Sequence, residues 1–204
     1  MTPRAALQRG VDELALALPA GAVEQLLAYV DLLMKWNRTY NLTAIRDPLE
    51  MVSRHLLDSL AVLPHLPMSD GAALADVGSG AGLPGIPLAI ARSEWRITLN
   101  DSNQKMSAFL RQAAIELRLS NVQVHEDRVE AWRPATGFAV VISRAFAGLA
   151  DFIAKCRHLV APGGVLAAMA GALPAAAEAG CEAIALRVPL LDAQRHLVLC
   201  RVGT

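Results

Sequence analysis

Aromatic residues are scarce, with four Phe, three Trp and two Tyr among 204 residues. A core must therefore be built mainly from Ala, Leu and Val within the 54% apolar fraction, as in soluble helix–sheet proteins. Cysteine is nearly absent. Cys156, Cys181 and Cys200 are odd in number and far apart, which predicts neither a disulfide framework nor a zinc site and favours a reducing compartment. Charge of one sign is missing too, since 19 basic residues face 19 acidic ones. Composition thus does not announce a strongly basic nucleic-acid binder, although a local basic patch remains open. Residues 1–10 hold two arginines and no apolar core, so they are not read as a signal peptide. Residues 158–177 carry no fixed charge and approach the length of a membrane span. They contain Pro162, Gly163, Gly164, Gly171 and Pro174, and are read as a helix end, a turn, a buried strand and another turn.

What is present first is helical periodicity. Val23, Leu26, Leu27, Val30, Leu33 and Met34 predict an amphipathic helix over 22–36. Asp47, Pro48 and Glu50 form a helix-start signal, followed by the stripe Leu49, Val52, Leu56, Leu60 and Leu63 and closed by Pro64. These helices form an N-terminal cap over 1–70. From about residue 71 the pattern changes to short apolar runs alternating with helical stretches. Strands are expected at 74–77, 96–99, 122–125, 138–142, 165–169, 183–188 and 196–202. Helices are expected from about Gly85, from a Ser102 cap, and before the Pro162-Gly163-Gly164 turn. The alternation predicts an α/β fold, a mostly parallel sheet with helices on both faces. The last two strands are too close for a crossover helix, so at least one is antiparallel.

The strongest motif runs Asp76-Val77-Gly78-Ser79-Gly80-Ala81-Gly82-Leu83-Pro84-Gly85, where the first strand turns into a helix. Gly80, Gly82 and Gly85 fit a dinucleotide loop. Asp76 with Gly78, Gly80 and Gly82 fits the acidic glycine loop of S-adenosylmethionine (SAM) methyltransferases. A tight turn that binds nothing is the third reading. An acid just before the loop disfavours a pyrophosphate and suits a cationic ligand, and the C-terminal strand pair is typical of methyltransferases, so SAM is favoured. Asp101, about twenty residues on, suits ribose hydroxyls or, alternatively, a helix entry. The backbone of Val129 and Glu130 is placed to meet an adenine edge; without further support the run 127–130 reads as a charged turn. Arg144, directly after a buried strand, and Arg195 are candidate anion or substrate contacts. No histidine has metal spacing.

Asn41-Leu42-Thr43, Arg54-His55-Leu56-Leu57-Asp58-Ser59, the glycine loop through Leu83-Pro84-Gly85-Ile86-Pro87, Arg128-Val129-Glu130, Ser143-Arg144-Ala145-Phe146 and Arg195-His196-Leu197 follow one another in this order. Together they resemble the RsmG (GidB) family of bacterial 16S rRNA guanine-N7 methyltransferases, over roughly residues 26–202. The resemblance implies a Rossmann-like class I SAM-dependent methyltransferase fold with a C-terminal antiparallel strand. It implies transfer of a methyl from SAM to N7 of one guanine, without a general base. Gly78, Leu83, Val129, Glu130 and Arg144 are implied around SAM, and Arg128, Arg144 and Arg195 around SAM and RNA. A cytoplasmic monomer acting on 16S rRNA within a small-subunit particle, with no membrane and no metal, is the expected setting. One departure is Ala170, where the family usually has lysine. It removes a cationic contact and keeps open a catalytically weakened SAM- and RNA-binding protein, alongside an NAD(P)-dependent oxidoreductase as rival enzyme.

Overall fold

The computed structural model describes residues 1–144, 148–172 and 180–202. Helix α1 (Pro3–Glu13) opens the chain, with Thr2 accepting the Ala5 N–H at its start. It escapes sequence periodicity because its buried face is Ala6, Leu7, Gly10 and Val11, mostly small residues. Gly10 is needed there: a Cβ would meet the Leu57 side chain at 2.3 Å. Helix α2 (Ala22–Tyr40) follows. Asp47 then caps α3 (Pro48–Met51) through the Leu49 N–H. The helix widens into a π-helical stretch (Val52–Leu57) before α4 (Asp58–Leu60). That widening is invisible to an apolar stripe, because Val52, Leu56 and Leu60 stay buried either way.

The remainder alternates β1 (Ala73–Val77), α5 (Gly85–Ala91), β2 (Arg96–Asn100), α6 (Gln104–Glu116), β3 (Val122–His125), β4 (Phe138–Ser143), α7 (Leu149–Cys156), β5 (Val160–Ala170), β6 (Cys181–Leu186) and β7 (Arg195–Arg201). The seven strands form one sheet in the order β3-β2-β1-β4-β5-β7-β6. β1 to β5 pair in parallel, and β7 runs antiparallel between β5 and β6. The predicted Pro162-Gly163-Gly164 turn lies inside β5 as an irregularity: Phe138 pairs with Val160, but Val140 pairs with Val165. The predicted Ser102 cap is corrected to Asn103, whose side chain accepts the Lys105 N–H. The second turn expected around Pro174, and residues 145–147 after Arg144, lie outside the described residues. Among the described residues no helix is long and apolar enough to cross a membrane.

Alternation along the strands divides the core in two. Leu74, Val140 and Ile142 join a large cluster with cap residues Leu7, Leu26, Leu33 and Leu56 and with Ile86 and Phe109. Ala75, Val77 and Val141 face the other way, onto Trp132, Phe152 and Cys156. Cys181 and Cys200 form a disulfide across β6 and β7. This corrects the expectation of unpaired thiols. A separation of 19 residues says nothing about pairing until an antiparallel register sets the two opposite one another.

Candidate functional site

The glycine loop is held shut from within. Asp76 is wholly buried at the end of β1, and its Oδ2 accepts the Gly85 N–H at 2.8 Å. Burial pushes this carboxyl up to about 7, although the Gly85 N–H pulls it down. The acid therefore clamps the start of α5 and does not face solvent, contrary to the simple picture of a charge presented to a ligand. The same geometry answers the dinucleotide reading. A carboxylate already occupies the helix terminus that a pyrophosphate needs, and the Ile86 N–H is taken by Gly82 O at 2.7 Å.

Gly78 and Gly80 have φ of +66° and +54°, and a Cβ on either would enter open space. Gly82 differs: a Cβ there would meet Ile86 at 2.4 Å, and Leu83 beside it is buried. Both shape the loop without lining the cleft. Asp101 Oδ2 accepts the Gly80 N–H at 2.9 Å, and Oδ1 accepts the Asn103 N–H at 2.8 Å. A carboxylate has about four acceptor sites, so oriented capacity remains for two hydroxyls. Asn100, which the sequence did not single out, donates to the carbonyls of His125 and Asp127 and fixes the loop after β3. Gly78, Asp101, Arg128, Val129 and Glu130 thus come together around a cleft of about 230 Å³. The Val129 side chain is buried. The N–H groups of Val129 and Glu130 have no acceptor among the described residues. Open glycine backbone, an oriented carboxylate and free N–H groups fit the nucleoside and amino-acid parts of SAM.

A second pocket, of about 310 Å³, is lined by Arg54, His55, Asp58, Arg144, Arg195 and Ala170, among others. Arg144, after β4, donates to the Arg54 carbonyl at 3.1 Å and lies 3.4 Å from His55 Nδ1 and 3.6 Å from Asp58 Oδ2. Arg195, opening β7, donates through Nε to Asp58 Oδ1 at 3.0 Å. Burial raises the Asp58 carboxyl and the two arginines oppose that rise. His55 is lowered to about 4, by burial first and then by Arg144, so it is a neutral ring at pH 7. Its Nε2 lies 2.9 Å from Thr43 Oγ1. Thr43 is held in turn by Asn37 through both its N–H and its carbonyl. A neighbouring pocket of about 320 Å³ shares Arg144, Met169, Ala170 and Gly171, so Ala170 stands on the wall between the two. Asp58 had a sequence signal, as a lone acid between Leu56-Leu57 and Leu60-Ala61, but no role could be read from it. Tyr29 had none. Its hydroxyl donates to Ala81 O at 2.7 Å, tying α2 to the glycine loop, and burial raises its phenol well above the ordinary range.

Residues 22–195 match the GidB family, described as rRNA small subunit methyltransferase G. The chain belongs to the GidB family. Its relatives include ribosomal RNA small subunit methyltransferase G of Methylobacillus flagellatus, 51% identical over 94% of this chain and 95% of that protein. The protein of the same name from Burkholderia thailandensis is 51% identical over 97% of this chain and 90% of that one. Among solved structures, a SAM-dependent methyltransferase from Aquifex aeolicus matches with a TM-score of 0.58 at 16% identity, over 77% of this chain and 94% of that chain. Precorrin-6y C5,15-methyltransferase from Geobacter metallireducens matches with a TM-score of 0.54 at 15% identity, over 72% and 87%. These likenesses show the fold, that of class I SAM-dependent methyltransferases. This GidB-family chain is therefore a methyltransferase, and SAM is its cofactor.

Proposed function

We propose that this chain transfers the methyl group of SAM to N7 of one guanine in 16S rRNA. The supporting observation is that a cleft holding Gly78 and Asp101 and a pocket rimmed by Arg144 and Arg195 both lie at the carboxyl ends of the strands, where open α/β sheets bind ligands. The two are joined where Ser143 donates to the Val77 carbonyl at 2.8 Å. SAM supplies an electrophilic methyl on a sulfonium. Asp101 receives the ribose hydroxyls, the Val129 and Glu130 N–H groups meet the adenine edge, and Gly78 gives the amino-acid part room. Gly80, Gly82 and Leu83 hold the loop in shape. Arg144 and Arg195 orient the base and its phosphates, and exposed Arg128 contacts phosphate at the cleft rim.

Guanine N7 has a lone pair and no proton to lose at neutral pH, so no general base is required. The titratable groups at the pocket agree with this. His55 is engaged by Thr43 and by the Arg54 carbonyl at 3.1 Å, and Asp58 is committed to two arginines. Catalysis is then positioning, which lowers a barrier by up to roughly 10 kcal/mol in favourable cases. Zero net charge gives weak attraction to free RNA, so the substrate is rRNA presented in a small-subunit particle, met by a monomer in the cytoplasm.

Calorimetry with SAM and, separately, NADH tests the cofactor. SAM binds, NADH does not, and Asp101→Ala weakens SAM at least tenfold. Mass mapping of particle rRNA then locates the methyl. Arg144→Ala lowers the rate by roughly 100-fold, as a misplaced reactant does, without moving the pH optimum. A new limb in its pH–rate profile counts against the mechanism. SAM binding with no transfer selects the weakened binding protein that Ala170 keeps open.

A further inference from the structure

We infer that Asp58 is a positioning residue for methyl transfer, a buried carboxylate through which the N-terminal helices set the two pocket arginines in place. This rests on the reading of the pocket given above. Three observations carry it. First, Asp58 reaches both arginines, Arg195 Nε at 3.0 Å and Arg144 Nη1 at 3.6 Å, and these come from different places in the sheet, the start of β7 and the residue after β4. Its side chain is only 4% exposed, against 23% and 26% for theirs. The anchor is inside and the cations reach outward from it.

Second, the backbone around Asp58 is built for the same task. In the π-helical stretch the Asp58 N–H donates to the Ser53 and His55 carbonyls, leaving the Arg54 carbonyl without the partner an α-helix would give it four residues on. That carbonyl accepts from Arg144 Nη1 at 3.1 Å. One irregular turn thus supplies two acceptors to one guanidinium. π-Helical turns recur at functional sites, and here the turn directs the Arg54 carbonyl away from the Asp58 N–H and towards Arg144 and His55 Nδ1.

Third, the turn is itself braced. His55 contacts Thr43 Oγ1, and Asn37 grips Thr43 from both sides. The segments 41–43 and 54–59, far from Arg144 and Arg195 in chain order, meet them in one hydrogen-bonded assembly. An arginine held at Nε or one Nη still has other donors to offer a base oxygen or a phosphate. Asp58 therefore orients the cations without silencing them.

The test uses the full chain, SAM and unmethylated small ribosomal subunits, with Asp58→Asn, Arg195→Ala and the double variant. Asp58→Asn keeps the shape and loses the charge. Its SAM affinity stays within about twofold of wild type, while kcat falls at least tenfold and KM for the particle changes less, as expected when orientation is lost. The double variant is slower than Arg195→Ala by clearly less than the factor that Asp58→Asn costs alone, the remainder being Arg144 left without its anchor, because residues acting as a unit are not additive. Independent, multiplying losses, wild-type kcat in Asp58→Asn, or a parallel loss of SAM affinity each overturn the proposal. The Nε–H of Arg195, followed by nitrogen-15 NMR, reads the ion pair without turnover. Its shift moves in Asp58→Asn, and an unmoved signal overturns the proposal. A wild-type protein that leaves the particles unmethylated, with that signal still coupled to Asp58, overturns the functional reading and the transfer role together while the ion pair stands.

Discussion

Gly78 and Gly82 lie in one loop and answer to different constraints. At Gly78 a methyl group meets only open space, so Gly78→Ala costs about 1–2 kcal/mol for the left-handed backbone. It also intrudes on the cleft, so SAM affinity falls much more than stability does. At Gly82 the methyl group strikes Ile86 and the backbone is again left-handed. Gly82→Ala therefore costs roughly 2–5 kcal/mol. Thermal melts paired with calorimetry separate the two. Asp76 and His55 make opposite pH predictions. A carboxyl raised from 3.8 to about 7 contributes stability that is full below pH 4 and is lost as the pH rises through 7. A histidine lowered from 6.5 to about 4 contributes stability that is full above pH 6.5 and is lost as the pH falls towards 4. The two slopes oppose each other in wild type. Asp76→Asn removes the first, so its stability relative to wild type climbs between pH 4 and 7, by at most roughly 1.4 kcal/mol per unit. Denaturant titrations across that window read the slope, and a flat difference refutes it.

Among the elements, the β6–β7 pair is fastened by Cys181 and Cys200 at the edge of the sheet. Closing a loop of this length stabilises a chain by roughly 3 kcal/mol. Scanning calorimetry with and without a reductant therefore shows a melting point several degrees lower when the bond is open. Cys156 does not confuse the measurement. It is buried and free, and burial pushes its thiol up to about 12. In a reducing compartment the pair exists as thiols, so alkylation of freshly lysed cells reports its state in place. Helix starts were legible where a side chain announces them, as at Asp47. The Ser102 position failed because Asn103, one residue later, offers a better-placed acceptor to the Lys105 N–H.

In the whole molecule, the cap and the sheet share one apolar cluster, in which Leu7, Leu26, Leu33 and Leu56 contact the layer holding Leu74, Ile86, Leu99 and Phe109. We propose that residues 1–70 and 71–204 fold as one unit. A chain beginning at residue 71 exposes that layer to water, and large bare apolar patches drive association. It aggregates or melts without a cooperative transition and binds no SAM. A soluble, cooperatively melting fragment with SAM affinity refutes the proposal. The same sharing explains why Arg54, His55 and Asp58 line the second pocket although they precede the sheet: the cap carries one of its walls.

The sequence alone determined the alternation of strands and helices, the glycine loop and the acid at its start, because period, turn chemistry and caps are local properties of the chain. It also marked Asp101, Val129, Glu130 and Arg144, through their places after strands, and Arg195, before the last strand, as candidate site residues. Three-dimensional packing decided the rest. The π-helical turn, the Asp58 contacts with two arginines, the bond between Tyr29 and the loop, and the pairing of Cys181 with Cys200 each join residues whose separation in the chain carries no signal. They form only when packing brings distant residues together and, for the polar contacts, takes both partners out of water.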